Sequence, residues 1–132
     1  MKLLASDTCL ALLQGDSQVI RHYRSCTDAE VATTWLCAGE LYKTAAGSAD
    51  PEKHFELVTR LLRTLRVVSM NLTAAQLMGE LQVFLHVHGM NLSGSASALV
   101  ACALAYDAEL ITIHAIRYAN VPGLRCRDWT KR

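Results

Sequence analysis

Apolar positions along this chain fall into two kinds of run. Four are short: "KLLAS", "EVATTW", "RVVSM" and "AELIT". Runs of this length, rich in Leu, Val, Ile and Thr, predict buried strands rather than helices. Between them lie longer stretches whose apolar residues recur every three or four positions. "CLALLQGD" predicts a helical turn or two, stopped at Gly15, and Asp16-Ser17 cap "QVIRHYRS". "LCAGELYKTAA" predicts a third helix, broken by "GSADP". Asp50 and Pro51 open "PEKHFELVTRLLRTL", where Phe55, Val58, Leu61, Leu62 and Leu65 share one face. Thr73 is the expected cap of "AAQLMGELQVFLHVHG", which ends at Gly89. Ser93 to Tyr106 contains no charged side chain and predicts a helix buried on all sides, with Asp107 in a left-handed turn at its end.

Short strands alternating with helices predict an α/β three-layer sandwich: a short central parallel sheet flanked by helices on both faces. No repeat, linker or low-complexity tract divides the chain, so residues 1–132 are expected to form one domain. In such sheets the site lies beyond the carboxyl ends of the strands, near the switch in strand order. Four places deserve inspection on that rule: Asp7-Thr8, the segment after "VATTW", Ser93–Ala96, and the residues after Thr112.

Composition narrows the class. A hydrophobic fraction of 52% and a charged fraction of 19% exclude a disordered chain. No apolar run approaches the roughly 20 residues that cross a bilayer, so no membrane association is expected. "MKLLASD" is too short in apolar length for a secretion signal and reads as a first strand, which predicts a cytoplasmic protein. The net charge of +1 makes no electrostatic case for nucleic acid and none against a local basic groove. The 5 cysteines are odd in number and form no CxxC pair, so buried free thiols are expected in place of a zinc site or disulfide framework.

Several residues could carry chemistry. Asp7 follows the first strand, where Thr8 could hold its carboxylate by a hydrogen bond; Asp-Thr is equally a helix start. Glu40 stands among Leu36, Cys37, Ala38, Gly39 and Leu41. A lone carboxylate in such a run is costly to bury without a cation or donor, and an exposed helix face is the alternative. His114, two residues beyond Thr112, could ligate a metal, move a proton or only cap a turn. His86 and His88 diverge on a helix, whereas His22 and His54 sit among polar residues and are expected in solvent. Leu12, Leu13, Ile20 and Tyr23 on the early helices are either a partner groove, ordinary core or a dimer face.

Four stretches together resemble the PIN domain, and within it the VapC-type ribonuclease toxins of bacterial toxin–antitoxin pairs. They are "MKLLASDTCLALLQGD", "ELYKTAAGSADPEKHFELVTRLL", "MGELQVFLHVHGMNLSGSASALVACALAYDAELIT" and "HAIRYANVPGLRCRDW". The resemblance implies a metal-dependent endoribonuclease whose acidic cluster holds Mg²⁺ or Mn²⁺, acts on RNA, pairs with an antitoxin protein and forms a homodimer. Carried over by position, Asp7 matches the family's first acid and Glu40 its second; both would be catalytic metal ligands. The third acid opens the Ala-rich helix in a Gly-Pro-x-Asp-like turn. Here that turn is "SGSA", with Ser95 preceding Ala96 in the acid's place. The position two after Thr112, where the family has Asp or Asn, is His114, an auxiliary ligand or proton carrier. A degenerate site with weak activity is therefore expected; the alternative is an inactive PIN-fold module that binds protein or RNA.

Overall fold

The computed structural model describes residues 1–132. The chain runs β1 (Lys2–Leu4), α1 (Ser6–Leu13), α2 (Ser17–Arg24), β2 (Val31–Thr34), α3 (Trp35–Ala46), α4 (Pro51–Thr64), β3 (Arg66–Val68), α5 (Leu72–Val87), α6 (Gly94–Ala105), β4 (Glu109–Ile111) and β5 (Cys126–Arg127). Short 3-10 turns precede β2 (Asp28–Glu30) and follow β4 (Ala115–Tyr118). All strand pairings are parallel and the sheet order is β3-β2-β1-β4-β5. The chain leaves β1 toward β2 and β3, then crosses back to β4 and β5. The order therefore switches between β1 and β4, which opens a crevice at their carboxyl ends.

Side-chain alternation along each strand divides the core in two. Leu3 and Leu110, paired in register, face α5 and α6; Leu4 and Ile111, the next pair, face the layer built by α1 to α4. All four are fully buried, which explains why these strands read as unbroken apolar runs. Each such side chain contributes about 1.5–3 kcal/mol through burial. In α6 every residue from Ser97 to Ala103 is buried, as its charge-free sequence predicts.

Some details differ from the sequence-based expectation. α5 begins at Leu72 because the Asn71 side chain accepts the Ala74 N–H at 2.8 Å. Thr73 lies inside the first turn and is not the cap. β5 was not expected; it is two residues long and exists through pairing with β4. Val58 on α4 and Leu65 just past its end are buried as expected, but Phe55 is exposed and packs on Tyr42, ring centres 5.1 Å apart. Asp107 adopts the expected left-handed backbone, with φ of 50°. No helix is long and apolar enough to cross a membrane.

Candidate functional site

β1 ends at Leu4 and α1 starts at Ser6, so Asp7 falls in the first turn of α1 at the carboxyl rim of the sheet. A carboxylate there faces the positive end of the helix dipole. β4 ends beside it. The Thr112 hydroxyl donates to Asp7 Oδ2 at 2.7 Å, and the Ile113 N–H reaches Oδ1 at 3.4 Å. Thr112 Oγ1 in turn accepts the His114 N–H at 3.2 Å, so one buried hydroxyl positions both Asp7 and the turn that carries His114. His114 Nε2 lies 4.0 Å from Asp7 Oδ2.

Thr8 is buried and its hydroxyl lies 3.1 Å from Asp7 Oδ1 and 2.9 Å from the Ile111 carbonyl oxygen. It has one proton for two acceptors, so it ties α1 to β4 at least as much as it holds the acid. Thr8 does not line the cavity.

On the next strand, the Thr34 side chain caps α3 by accepting the Cys37 N–H at 3.1 Å. That start places Glu40 an turn and a half into α3, on the side facing Asp7. Glu40 is exposed, and none of the chain's ion pairs involves it. From the other layer, Ser93 caps α6 by accepting the Ala96 N–H at 3.1 Å. The first turn of α6 has no acidic residue.

These elements converge on one cavity of about 260 Å³, lined among others by Asp7, Glu40, Ser95, Ala96, Thr112 and His114. Six of the seven candidate positions thus come together, from α1, α3, α6 and the segment that follows β4. No Lys or Arg lines the cavity. No three of its His, Cys, Asp or Glu side chains come close enough together to hold a metal ion as a protein cage.

Sequence reasoning passed over one lining residue of consequence. Tyr118, at the end of the 3-10 turn after β4, is only 6% exposed yet faces the cavity. Burial pushes its hydroxyl pKa up, the Arg117 guanidinium beside it pulls it down, and the Asp7 carboxylate adds to the rise. The available signal was its place four residues after His114, on a tight turn leading back to the sheet. In the core, Cys9 and Cys37 are buried thiols whose pKa values desolvation raises, Cys9 strongly, so neither offers a thiolate.

The other histidines lie elsewhere. His86 and His88 are exposed on α5, and His54 is exposed near Ser48 and Asp50. His22, expected in solvent, is half-buried: its ring stacks on buried Trp129 at 5.6 Å, and Nε2 lies 3.2 Å from the Lys131 carbonyl oxygen. All 5 cysteines are free; Cys9, Cys37 and Cys102 are buried, while Cys26 and Cys126 are half-buried.

No family model matches this sequence, and no curated protein matches it. Solved structures do. A chain of the DNA-bound VapBC of Salmonella typhimurium superposes with a TM-score of 0.91 at 20% identity, covering 98% of this chain and 98% of that one. VapBC2 of Rickettsia felis, bound to a DNA fragment from its promoter, gives 0.89 at 17% identity over 97% and 98% of the two chains. VapC20 of Mycobacterium tuberculosis, a Sarcin-Ricin loop cleaving toxin, gives 0.63 at 18% identity over 86% and 88%. The fold is therefore PIN/VapC-like, a three-layer α/β sandwich shared with these chains.

Proposed function

We propose that this chain is a VapC-like endoribonuclease toxin with a depleted acidic site, neutralised by an antitoxin protein. The observation that carries the reading is the meeting of Asp7 and Glu40 in one cavity at the sheet's switch point, on a backbone that superposes on VapBC chains over nearly its whole length. The structurally similar VapC20 is a Sarcin-Ricin loop cleaving toxin, and a further similar chain comes from a toxin–antitoxin complex of Klebsiella pneumoniae.

The residues present fit a divalent cation of a particular kind. Two carboxylates and no lysine or arginine give the cavity negative charge. Oxygen ligands suit Mg²⁺ or Mn²⁺, and such ions commonly use one or two carboxylates and complete their shell with water and substrate phosphate. Asp7 already accepts from Thr112 at Oδ2 and has the Ile113 N–H and the Thr8 hydroxyl at Oδ1, so its remaining lone pairs and all of Glu40 are left for an ion that keeps much of its water. A bound ion supplies an acidified water and countercharge for the scissile phosphate. The chain's own part is positional: Thr112 and α1 fix Asp7, Thr34 sets the reach of Glu40, and the turn held by Thr112 brings the His114 imidazole, the auxiliary ligand or proton carrier of this reading, to 4.0 Å from Asp7.

Adding millimolar Mn²⁺ is expected to raise the melting temperature, because a ligand of the folded state stabilises it by mass action. Glu40→Gln should remove the rise. An unchanged melting temperature in the wild-type chain defeats the reading.

Ala96 favours a second reading, a PIN-fold protein that binds without cutting. A methyl group there supplies neither charge nor ligand. Restoring the acid as Ala96→Asp separates the two: RNA cleavage should increase by about 10²-fold if only positioning and charge are missing. Cleavage that stays undetectable in Ala96→Asp supports the binder.

For the antitoxin, the notable surface is an apolar cavity of about 330 Å³ between α1, α3 and α4, floored by Leu10, Leu13, Leu41, Leu57 and Val58. Of Leu12, Leu13, Ile20 and Tyr23, read from sequence as a partner groove, ordinary core or a dimer face, only Leu13 lines it. Leu12 and Tyr23 pack against the core layer and Ile20 is half-buried. A homodimer belongs to the same proposal and is checked by sedimentation.

A further inference from the structure

The acidic cavity lacks what would hold a phosphate chain. Asp7 and Glu40 line it and no Lys or Arg does, so without a cation it repels phosphate. Another face of α3 has the reverse character. Trp35, Ala38, Gly39 and Tyr42 recur there at helical spacing, and with Leu62 and Arg63 of α4 they line a groove of about 410 Å³. No Asp or Glu lines this groove, and Arg63 enters no ion pair. Exposed Lys43 follows Tyr42 on α3, and exposed Arg66 opens β3 just past α4. Trp35 is the unusual member. It starts α3 directly after β2, at the carboxyl rim of the sheet that also carries Asp7, and it is 65% exposed. Tyr42 is already engaged, its ring on Phe55 and its hydroxyl 2.6 Å from that of Thr59, whereas the indole stacks on no ring of the chain. The wall beside it is low: Ala38 ends at a methyl group, and a Cβ at Gly39 would meet nothing within 4 Å. An open aromatic face in an acid-free groove with a free guanidinium suits a flat ring joined to negative charge, which a nucleotide combines.

We propose that Trp35 is a base-stacking platform that, together with Arg63, holds single-stranded RNA beside the Asp7–Glu40 cavity. A base lies on the indole and Arg63 faces the backbone phosphate. Glu40 leaves the same helix toward the cavity about a turn and a half after Trp35. A strand gripped on one side of α3 is therefore led past the acids on the other. Charge argues against a second copy of this chain as the occupant, because a two-fold contact through this groove would set Arg63 against its own counterpart. RNA as the strand rests on the ribonuclease reading above, and the platform supplies the grip that the acidic cavity lacks.

The test uses the whole chain with divalent ions chelated, so that the strand stays intact and metal binding plays no part. Tryptophan fluorescence is followed while oligoadenylate, an abasic strand of equal length and polyglutamate are titrated in separately. The chain has 2 tryptophans and Trp129 is 1% exposed, so a ligand reaches the emission of Trp35 alone. Oligoadenylate should quench that emission; the abasic strand and polyglutamate should not. Trp35→Ala should weaken oligoadenylate binding by about 5- to 150-fold, the range for one stacked base, and Trp35→Phe by less. Arg63→Gln should lower the slope of log affinity against log salt by about 0.7, one phosphate contact on a single strand. Gly39→Leu should block the groove in a folded chain, because its side chain enters open space and glycine is the poorer helix former. Absence of quenching overturns the platform, as does equal quenching by the abasic strand, or wild-type affinity in both Trp35→Ala and Gly39→Leu. Quenching by polyglutamate overturns it in favour of an acidic peptide, and a dimer that Trp35→Ala dissociates in sedimentation overturns it in favour of a second copy. Oligoadenylate binding that needs Trp35, in a chain whose melting temperature ignores Mn²⁺, retains the platform while removing the nuclease reading. A Mn²⁺ shift without oligoadenylate binding removes only the platform.

Discussion

At the scale of single residues, the hydroxyls organise this cavity. Thr112 is 2% exposed and donates to the Asp7 carboxylate at 2.7 Å, and it also accepts from the turn that carries His114. A hydrogen bond to a charged group contributes about 1.5–3 kcal/mol, so Thr112→Val, nearly equal in volume, should lower unfolding free energy by that amount in a urea titration. Ser97 is the opposite case. Its hydroxyl is fully buried in α6 without a partner, and an unsatisfied buried donor costs about 1–3 kcal/mol. Ser97→Ala also improves helix propensity. It should melt at or above the wild-type temperature; a clear loss of stability would mean the hydroxyl has a partner. Neither role is legible in the sequence. A threonine or serine is tolerated in or out of solvent, so burial leaves no mark on the string, and the partner of Thr112 lies 105 positions away. Carboxylates differ: Asp7 interrupts an apolar run and is half-buried, so the cost of burying charge makes the interruption informative, whereas Glu40 is exposed on α3 and reaches the cavity without that cost.

At the scale of elements, the reading succeeds where one segment's own chemistry decides the outcome. The Asp50-Pro51 start of α4, the Ser93 start of α6 and the left-handed Asp107 are all local matters, and all three are present. The start of α5 was misplaced because Asn71 and Thr73 are both good caps two residues apart. Asn71 sits one residue before the helix with its side chain on the Ala74 N–H, the better geometry. Asn71→Ala should therefore cost about 1 kcal/mol and Thr73→Ala much less, measured by chemical denaturation. Equal costs would reinstate Thr73. β5 failed for a different reason. Cys126–Arg127 is too short to show a period, and its strand character comes from Leu110 and Ile111 across the ladder. His22 was misjudged likewise, because its polar neighbours in sequence say nothing of Trp129 arriving from the far end of the chain.

At the scale of the whole molecule, the buried thiols make stability depend on alkaline pH. Cys126 has its pKa raised from 9.0 to about 11, chiefly by burial, and Cys9, Cys37 and Cys102 shift the same way for the same reason, as does Tyr118. Raised values mean that the unfolded chain releases these protons first. Above pH 9 the unfolded state binds fewer protons than the folded state, so unfolding free energy falls as pH rises. The contribution of Cys126 is complete below about pH 9 and is lost as pH climbs through about 11. The melting temperature should hold level from neutral pH to that threshold and then decline. Cys126→Ala should make the decline shallower, because it deletes one proton from the folded side of the balance. A decline equally steep in both chains would place the proton release in other groups, and would mean that the Cys126 thiol at the sheet edge is as well solvated as in the unfolded chain.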